Sequence, residues 1–227
     1  MMKSQGRFIL LYIIIGVNLL AGCGRKAAPQ YVIGVSQCSK DFWRDKFNKE
    51  LQMAEYLNDS IQVKLASSND DSKLQTRQIN QMIDENVDLL VIAPNKSKTI
   101  SPAINRAYDK GIPVIIYDRK ANSNKYTAFI GCDNYAIGKS MGEFIAQKLQ
   151  GKGRVVEIRG LEGSSPALER HRGFMEAMKK FPGMQVVASE AGDWKEESGK
   201  KAMQRILDKT RDFDYVFSHN DRMGWGA

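Results

Sequence analysis

The sequence predicts an α/β fold of two doubly wound parallel-sheet lobes, the second of them truncated. Three observations predict it. From residue 31 onward, short apolar runs alternate with segments of helical period. The segments between the runs are 10 to 15 residues long, the length of a crossover helix that must bury its own apolar stripe on a sheet. Finally, Ala227 arrives one turn into a further helix that opens at Asn220-Asp221.

Each element follows from its pattern. Residues 31–35 form a continuous apolar run and read as a strand; residues 42–57 place Trp43, Phe47, Leu51, Ala54 and Leu57 at helical spacing. Residues 61–66 are a strand, and 74–83 a helix capped by Asp71 or Ser72. A strand at 87–93 precedes a helix at 101–108, introduced by Pro102 in its first turn. Strands at 112–117 and 126–131 lead to a helix at 135–149 capped by Asp133. The second half repeats the scheme, with strands at 154–158, 184–189 and 215–218 and helices at 166–181 and 196–207. The crossing between the lobes falls at residues 130–133, which divides the chain into an amino-terminal lobe, 31–131, and an incomplete carboxyl-terminal lobe, 132–227.

Residues 1–22 read as an export signal and 23–30 as a linker. Lys3 and Arg7 precede an apolar stretch too short to span a bilayer comfortably, and Leu20-Ala21-Gly22-Cys23 looks like a bacterial lipobox. That predicts lipid on Cys23 and a periplasmic or envelope location, with an uncleaved anchor as the alternative. Cys38 and Cys132 could pair or lie unpaired as small apolar residues. The formal charge of +8 is scattered along the chain, without a basic arm or an RNA-binding motif, and argues against nucleic acid.

The strand ends carry the chemistry. Ile112-Pro113-Val114-Ile115-Ile116-Tyr117 runs into Asp118 and Arg119, where an open parallel sheet presents its crevice. The other strand ends add Phe42, Trp43, Asn134, Arg170, Trp194 and Asn220. Hydroxyls need paired acceptors and fork-shaped donors, and sugar C–H faces need flat apolar surfaces, so this inventory suits a sugar. Taken singly, Trp43 fits the apolar stripe of its helix as a core residue. Arg170, within Glu169-Arg170-His171-Arg172, fits a solvated helix face, whereas Trp194 follows Gly192-Asp193 in a loop with no periodic reason to be buried.

From residue 31 to 227 the chain resembles the type 1 periplasmic sugar-binding proteins, the ribose-binding group above all. Four stretches carry the resemblance: Ile115-Ile116-Tyr117-Asp118-Arg119, Gly131-Cys132-Asp133-Asn134, Gly160-Leu161-Glu162-Gly163-Ser164-Ser165-Pro166-Ala167-Leu168-Glu169-Arg170-His171-Arg172-Gly173-Phe174, and Val216-Phe217-Ser218-His219-Asn220-Asp221-Arg222-Met223. The resemblance implies that Asp118, Arg119, Arg170 and Asn220 hydrogen-bond a monosaccharide while Phe42, Trp43 and Trp194 sandwich its ring. Lys40 and Asp41 stand where the ribose binders carry Asn and Pro, which argues against ribose itself. Gln37-Cys38-Ser39-Lys40-Asp41-Phe42-Trp43-Arg44 also resembles the extracytoplasmic sugar sensors of hybrid two-component histidine kinases.

The expected function is therefore monosaccharide binding in an interlobe cleft, without catalysis, cofactor or metal. The partner is an ABC-type sugar permease or, alternatively, a sensor kinase. Gly138-Lys139-Ser140 lacks the upstream Gly of a phosphate loop, and Gly163-Ser164-Ser165-Pro166-Ala167 lacks the second Gly of a nucleophile elbow. His171 and His219 have no partners at metal-ligand spacing. A lactose-repressor-type regulator shares these lobes but would need a helix-turn-helix where this chain has an export signal.

Overall fold

The computed structural model describes residues 29–227. The export signal, the lipobox with Cys23 and most of the linker lie outside them. The elements run β1 (Tyr31–Gln37), α1 (Phe42–Tyr56), β2 (Ile61–Ser67), α2 (Ser72–Asp84), β3 (Leu89–Ile92), α3 (Ser97–Asp109), β4 (Val114–Tyr117) and β5 (Ala128–Ile130). They continue with α4 (Asn134–Lys148), β6 (Lys152–Arg159), α5 (Ser165–Lys179), β7 (Gly183–Ala191), α6 (Glu196–Lys209), β8 (Tyr215–Ser218) and α7 (Asp221–Gly226).

Two parallel sheets result, ordered β2-β1-β3-β4-β5 and β7-β6-β8. In the first, β1 lies between β2 and β3, so the strand order reverses there and the loops after β1 and β3 part to leave a crevice. The second repeats this arrangement around β6. Ile79, Ile83, Leu90, Ile92, Ile100, Ile104 and Ile116 pack the first lobe's core. In the second, consecutive residues of β6 serve opposite faces. Val155 joins Phe174 and Phe217, and Val156 joins Ala202, Ile206 and Met223. Helices thus cover both faces of the sheet, as a parallel sheet requires.

Helices α4 and α5 pack backbone to backbone. A Cβ on Gly138 would stand 2.0 Å from the Arg170 carbonyl oxygen, and one on Gly173 would stand 2.1 Å from that of Tyr135. Only glycine lets the two backbones touch, and their contact brings the start of α4 against Arg170.

Two local expectations are corrected. The helix expected at 101–108 begins at Ser97, so Pro102 lies inside α3 and not at its start. Ser97 Oγ donates to the Lys120 carbonyl and Ser101 Oγ to the Ser97 carbonyl, which winds the extra turn. The backbone bond that Pro102 forfeits falls in the first turns of the helix, at an exposed Lys98 and Pro102. The apolar stripe of α1 is also less buried than its spacing predicts: Trp43 is 68% and Leu57 74% exposed, and the buried residue of this helix is Arg44. Cys38 and Cys132 are unpaired, the first buried and the second exposed. Among the described residues no helix is long and apolar enough to cross a membrane.

Candidate functional site

At the end of β4 the backbone turns through Asp118 in the left-handed region, φ +60°. Its amide donates to the Ile130 carbonyl at 2.8 Å. The turn leaves Asp118 Oδ2 3.8 Å from Arg119 Nε, while the same oxygen takes a second guanidinium. Arg44 Nη2 donates to Asp118 Oδ2 and to Cys38 Sγ at 3.3 Å, with its guanidinium 5.3 Å from the Tyr117 ring centre. Arg44 Nη1 is buried without a hydrogen-bond partner among the described residues.

Arg119 is 6% exposed and donates through Nη1 to Asn95, at 3.2 Å to its carbonyl and 3.3 Å to Oδ1. Asn95 is itself fixed. Its amide donates to Gln75 Oε1 at 2.8 Å, and its Nδ2 to the Asp70 carbonyl at 2.7 Å and Ser72 Oγ at 3.0 Å. The guanidinium is therefore held by a residue whose own position is fixed independently of it.

The second lobe answers from three loops. Asp133 caps α4 by accepting from the Ala136 amide at 2.9 Å, and the next residue, Asn134, is 3% exposed. Asn134 Oδ1 accepts from Arg170 Nε at 3.0 Å, while Arg170 Nη1 donates to the His219 carbonyl. Burial pulls the Arg170 pKa down, opposed chiefly by Asp118 on the other lobe.

Trp194 takes φ +69°, a conformation that costs a bulky side chain on the order of 1 kcal/mol. Its ring packs directly against Gly160, where a Cβ would come within 2.0 Å of Cζ2. Asn220 caps α7 through the Met223 amide at 3.0 Å, and its Nδ2 donates to the Trp194 carbonyl at 3.1 Å.

The two lobes meet at these residues. The guanidinium carbons of Arg119 and Arg170 lie 6.0 and 5.6 Å from the Trp194 ring centre. Flanking contacts hold the rims together: Lys120 Nζ to Glu169 Oε1 at 2.8 Å, the Lys120 amide to Ser165 Oγ at 2.6 Å, and Lys195 Nζ to Asp70 Oδ2 at 2.6 Å.

Six of the eight expected residues thus converge. Phe42 and Trp43 do not join them: they are 78% and 68% exposed in the first turn of α1, and neither ring stacks on another among the described residues. Arg170 is half-buried and tied down, which corrects the reading of a solvated helix face. Arg44 and Asn95 were not among the residues expected from sequence. An Arg one residue after exposed aromatics, at the start of a helix facing the strand ends, was the available signal for the first. A groove of about 500 Å³ also lies beside the crossing, lined by Lys120, Phe129, Cys132, Tyr135, Glu169 and Arg172 among others, and none of the eight lines it. Among the described residues no group of three or more His, Cys, Asp or Glu is placed to hold a metal ion.

A family model described as a periplasmic binding protein domain matches residues 32–227. The chain belongs to the periplasmic binding protein family. Its relatives in that family include the ribose import binding protein of Bacillus subtilis, 34% identical over 74% of this chain and 54% of the relative. The galactofuranose-binding protein of Escherichia coli is 29% identical over 96% of this chain and 70% of the relative. Among solved structures, a fructose-binding periplasmic domain of a hybrid two-component system superposes with a TM-score of 0.83, at 44% identity, over 87% of this chain and 66% of that one. This periplasmic binding protein chain therefore spans about half the length of its Bacillus relative and two thirds of the solved sensor domain.

Proposed function

We propose that the protein is an extracytoplasmic monosaccharide receptor whose ligand lies between the lobes 31–131 and 132–227. Asp118 accepts from sugar hydroxyls, Arg119, Arg170 and Asn220 donate to them, Asn134 orients Arg170, and Trp194 presents an aromatic face to the ring, with Phe42 and Trp43 folding over the opposite face once the sugar is bound. The observation that carries this reading is the approach of Arg119 and Arg170, from opposite lobes, to one Trp194 ring. Two fork-shaped donors gathered over one aromatic ring bring together the groups that suit the rim and the face of a sugar. Residues 1–22 act as a lipoprotein export signal, and lipid on Cys23 holds the receptor at the membrane.

In this reading the protein is the solute-binding component of an ABC importer and performs no catalysis. A second reading, the sensory domain of a hybrid two-component kinase, is favoured by the 44% identity to the fructose-binding sensor domain, against 29 to 34% for the binding proteins. Calorimetry of the full chain against D-fructose, D-ribose, D-galactose and L-arabinose tests what both readings share. Saturable heat with one or more sugars is expected, together with a raised thermal midpoint. No heat and no shift from any of a broader monosaccharide panel would end the reading.

A further inference from the structure

Beneath Arg170 and Trp194 lies a buried polar cluster that the sugar site does not itself use. Glu157, on β6, is fully buried. Its carboxylate accepts from Ser189 Oγ at 2.6 Å, from His171 Nδ1 at 2.8 Å and from His219 Nε2 at 3.0 Å. The Gly160 amide donates to the other nitrogen of His219, Nδ1, at 3.3 Å. A ring that accepts at Nδ1 and donates at Nε2 is neutral and in one tautomer.

His219 touches two of the ligand-facing groups of its lobe, Arg170 and Trp194. Its carbonyl receives Arg170 Nη1, and its ring centre lies 6.3 Å from that of Trp194. It also anchors Gly160, the residue on which Trp194 rests. We infer that Glu157 is a positioning residue for ligand binding: by fixing the tautomer and orientation of His219 it sets where Arg170 and Trp194 stand in the cleft. This inference rests on the sugar-binding reading for its effect on affinity, although the effect on Trp194 does not need a ligand.

Three groups donate to one carboxylate, and an apolar residue of similar size accepts from none of them. Leucine at 157 leaves the Nε2–H of His219 buried without an acceptor. His219 must then turn or change tautomer, releasing Gly160 and shifting the carbonyl that holds Arg170. Burial pushes the Glu157 carboxyl up, but the bonds from His171, His219 and Ser189 outweigh it and hold it at about 2, so the anion persists throughout the physiological range.

The test uses the full chain with Glu157→Leu, and Glu157→Asp if the first does not fold, since the shorter acid cannot span His171 and His219 together. Calorimetry with D-fructose should show affinity falling about tenfold or more. Without sugar, acrylamide quenching of Trp194, in a Trp43→Phe/Trp225→Phe background, should rise at temperatures where circular dichroism is unchanged. A role confined to stability would lower the thermal midpoint and leave both readouts alone, and that result overturns the inference. If unsubstituted protein binds no monosaccharide, the sugar reading fails, and the quenching result alone decides whether Glu157 positions Trp194.

Discussion

Arg44 and Asp118 form an ion pair across the end of the first sheet, the Arg side chain 4% and the Asp side chain 37% exposed. A guanidinium so enclosed has little water to fall back on. Its partner is therefore a structural necessity as well as a rim group of the cleft.

Asp118→Asn should accordingly lower stability before any ligand is considered. Breaking a buried pair from one side leaves an uncompensated charge, and the partial exposure of Asp118 moderates the penalty to about 2 kcal/mol. Urea unfolding of the ligand-free protein gives the value directly. Arg44→Met, which removes the buried charge instead of orphaning it, should cost less, and the opposite ranking would refute this account of the pair.

Arg119→Ala should act on affinity more than on folding. Its guanidinium is held by Asn95, which keeps its bonds to Gln75, Asp70 and Ser72 when Arg119 is removed. A sugar hydroxyl left facing a desolvated gap costs about 2 to 4 kcal/mol, a loss of roughly 30-fold or more in calorimetric affinity. Undiminished binding would remove Arg119 from the site.

Much of the architecture was legible because each crossover helix must bury a stripe, and that stripe repeats at a fixed spacing. Asp71 and Asp133 were legible as caps because they act on amides two or three positions away. Pro102 misled because its ring suits a first turn, while the true start was set by Ser97 bonding to Lys120 in a different segment. Arg44 escaped for the same kind of reason. A lone Arg reads as solvated, and the acid that justifies its burial lies 74 positions away. Trp194 was legible as a loop aromatic, but its seat on Gly160 depends on two strands being brought side by side. Local rules recovered what neighbours decide, and the site's supports are decided by tertiary contact.

Gly160→Ala should disable the site without substituting a ligand-facing residue. The added methyl would stand within 2.0 to 2.4 Å of three Trp194 ring atoms, so the ring must lift from its seat. Overpacking of this kind costs about 1 to 3 kcal/mol, and it should weaken sugar binding as the aromatic face moves. In a Trp194→Leu background the same substitution should cost much less. Equal effects in both backgrounds, measured by thermal midpoint and calorimetry, would show that the clash is absorbed elsewhere.

Stability should fall with acid in a way that Glu157 and His219 determine together. The Glu157 carboxyl is held at about 2, below its ordinary 4.5, so the folded state binds fewer protons than the unfolded chain between those values. Its contribution, about 3 kcal/mol, is complete above pH 4.5 and is lost as pH falls toward 2. His219 is lowered from 6.5, chiefly by burial, despite the raising effect of Glu157. The buried neutral ring therefore adds stability above pH 6.5 that declines as pH drops below it. Both slopes have the same sign, so urea unfolding free energy should decrease steadily from pH 7 to pH 3. Glu157→Gln removes the carboxylate's share, and the difference between the two proteins should be greatest at neutral pH and shrink below pH 4.5. A difference that stays constant from pH 7 to pH 3 would mean that the charge on Glu157 contributes nothing to the fold.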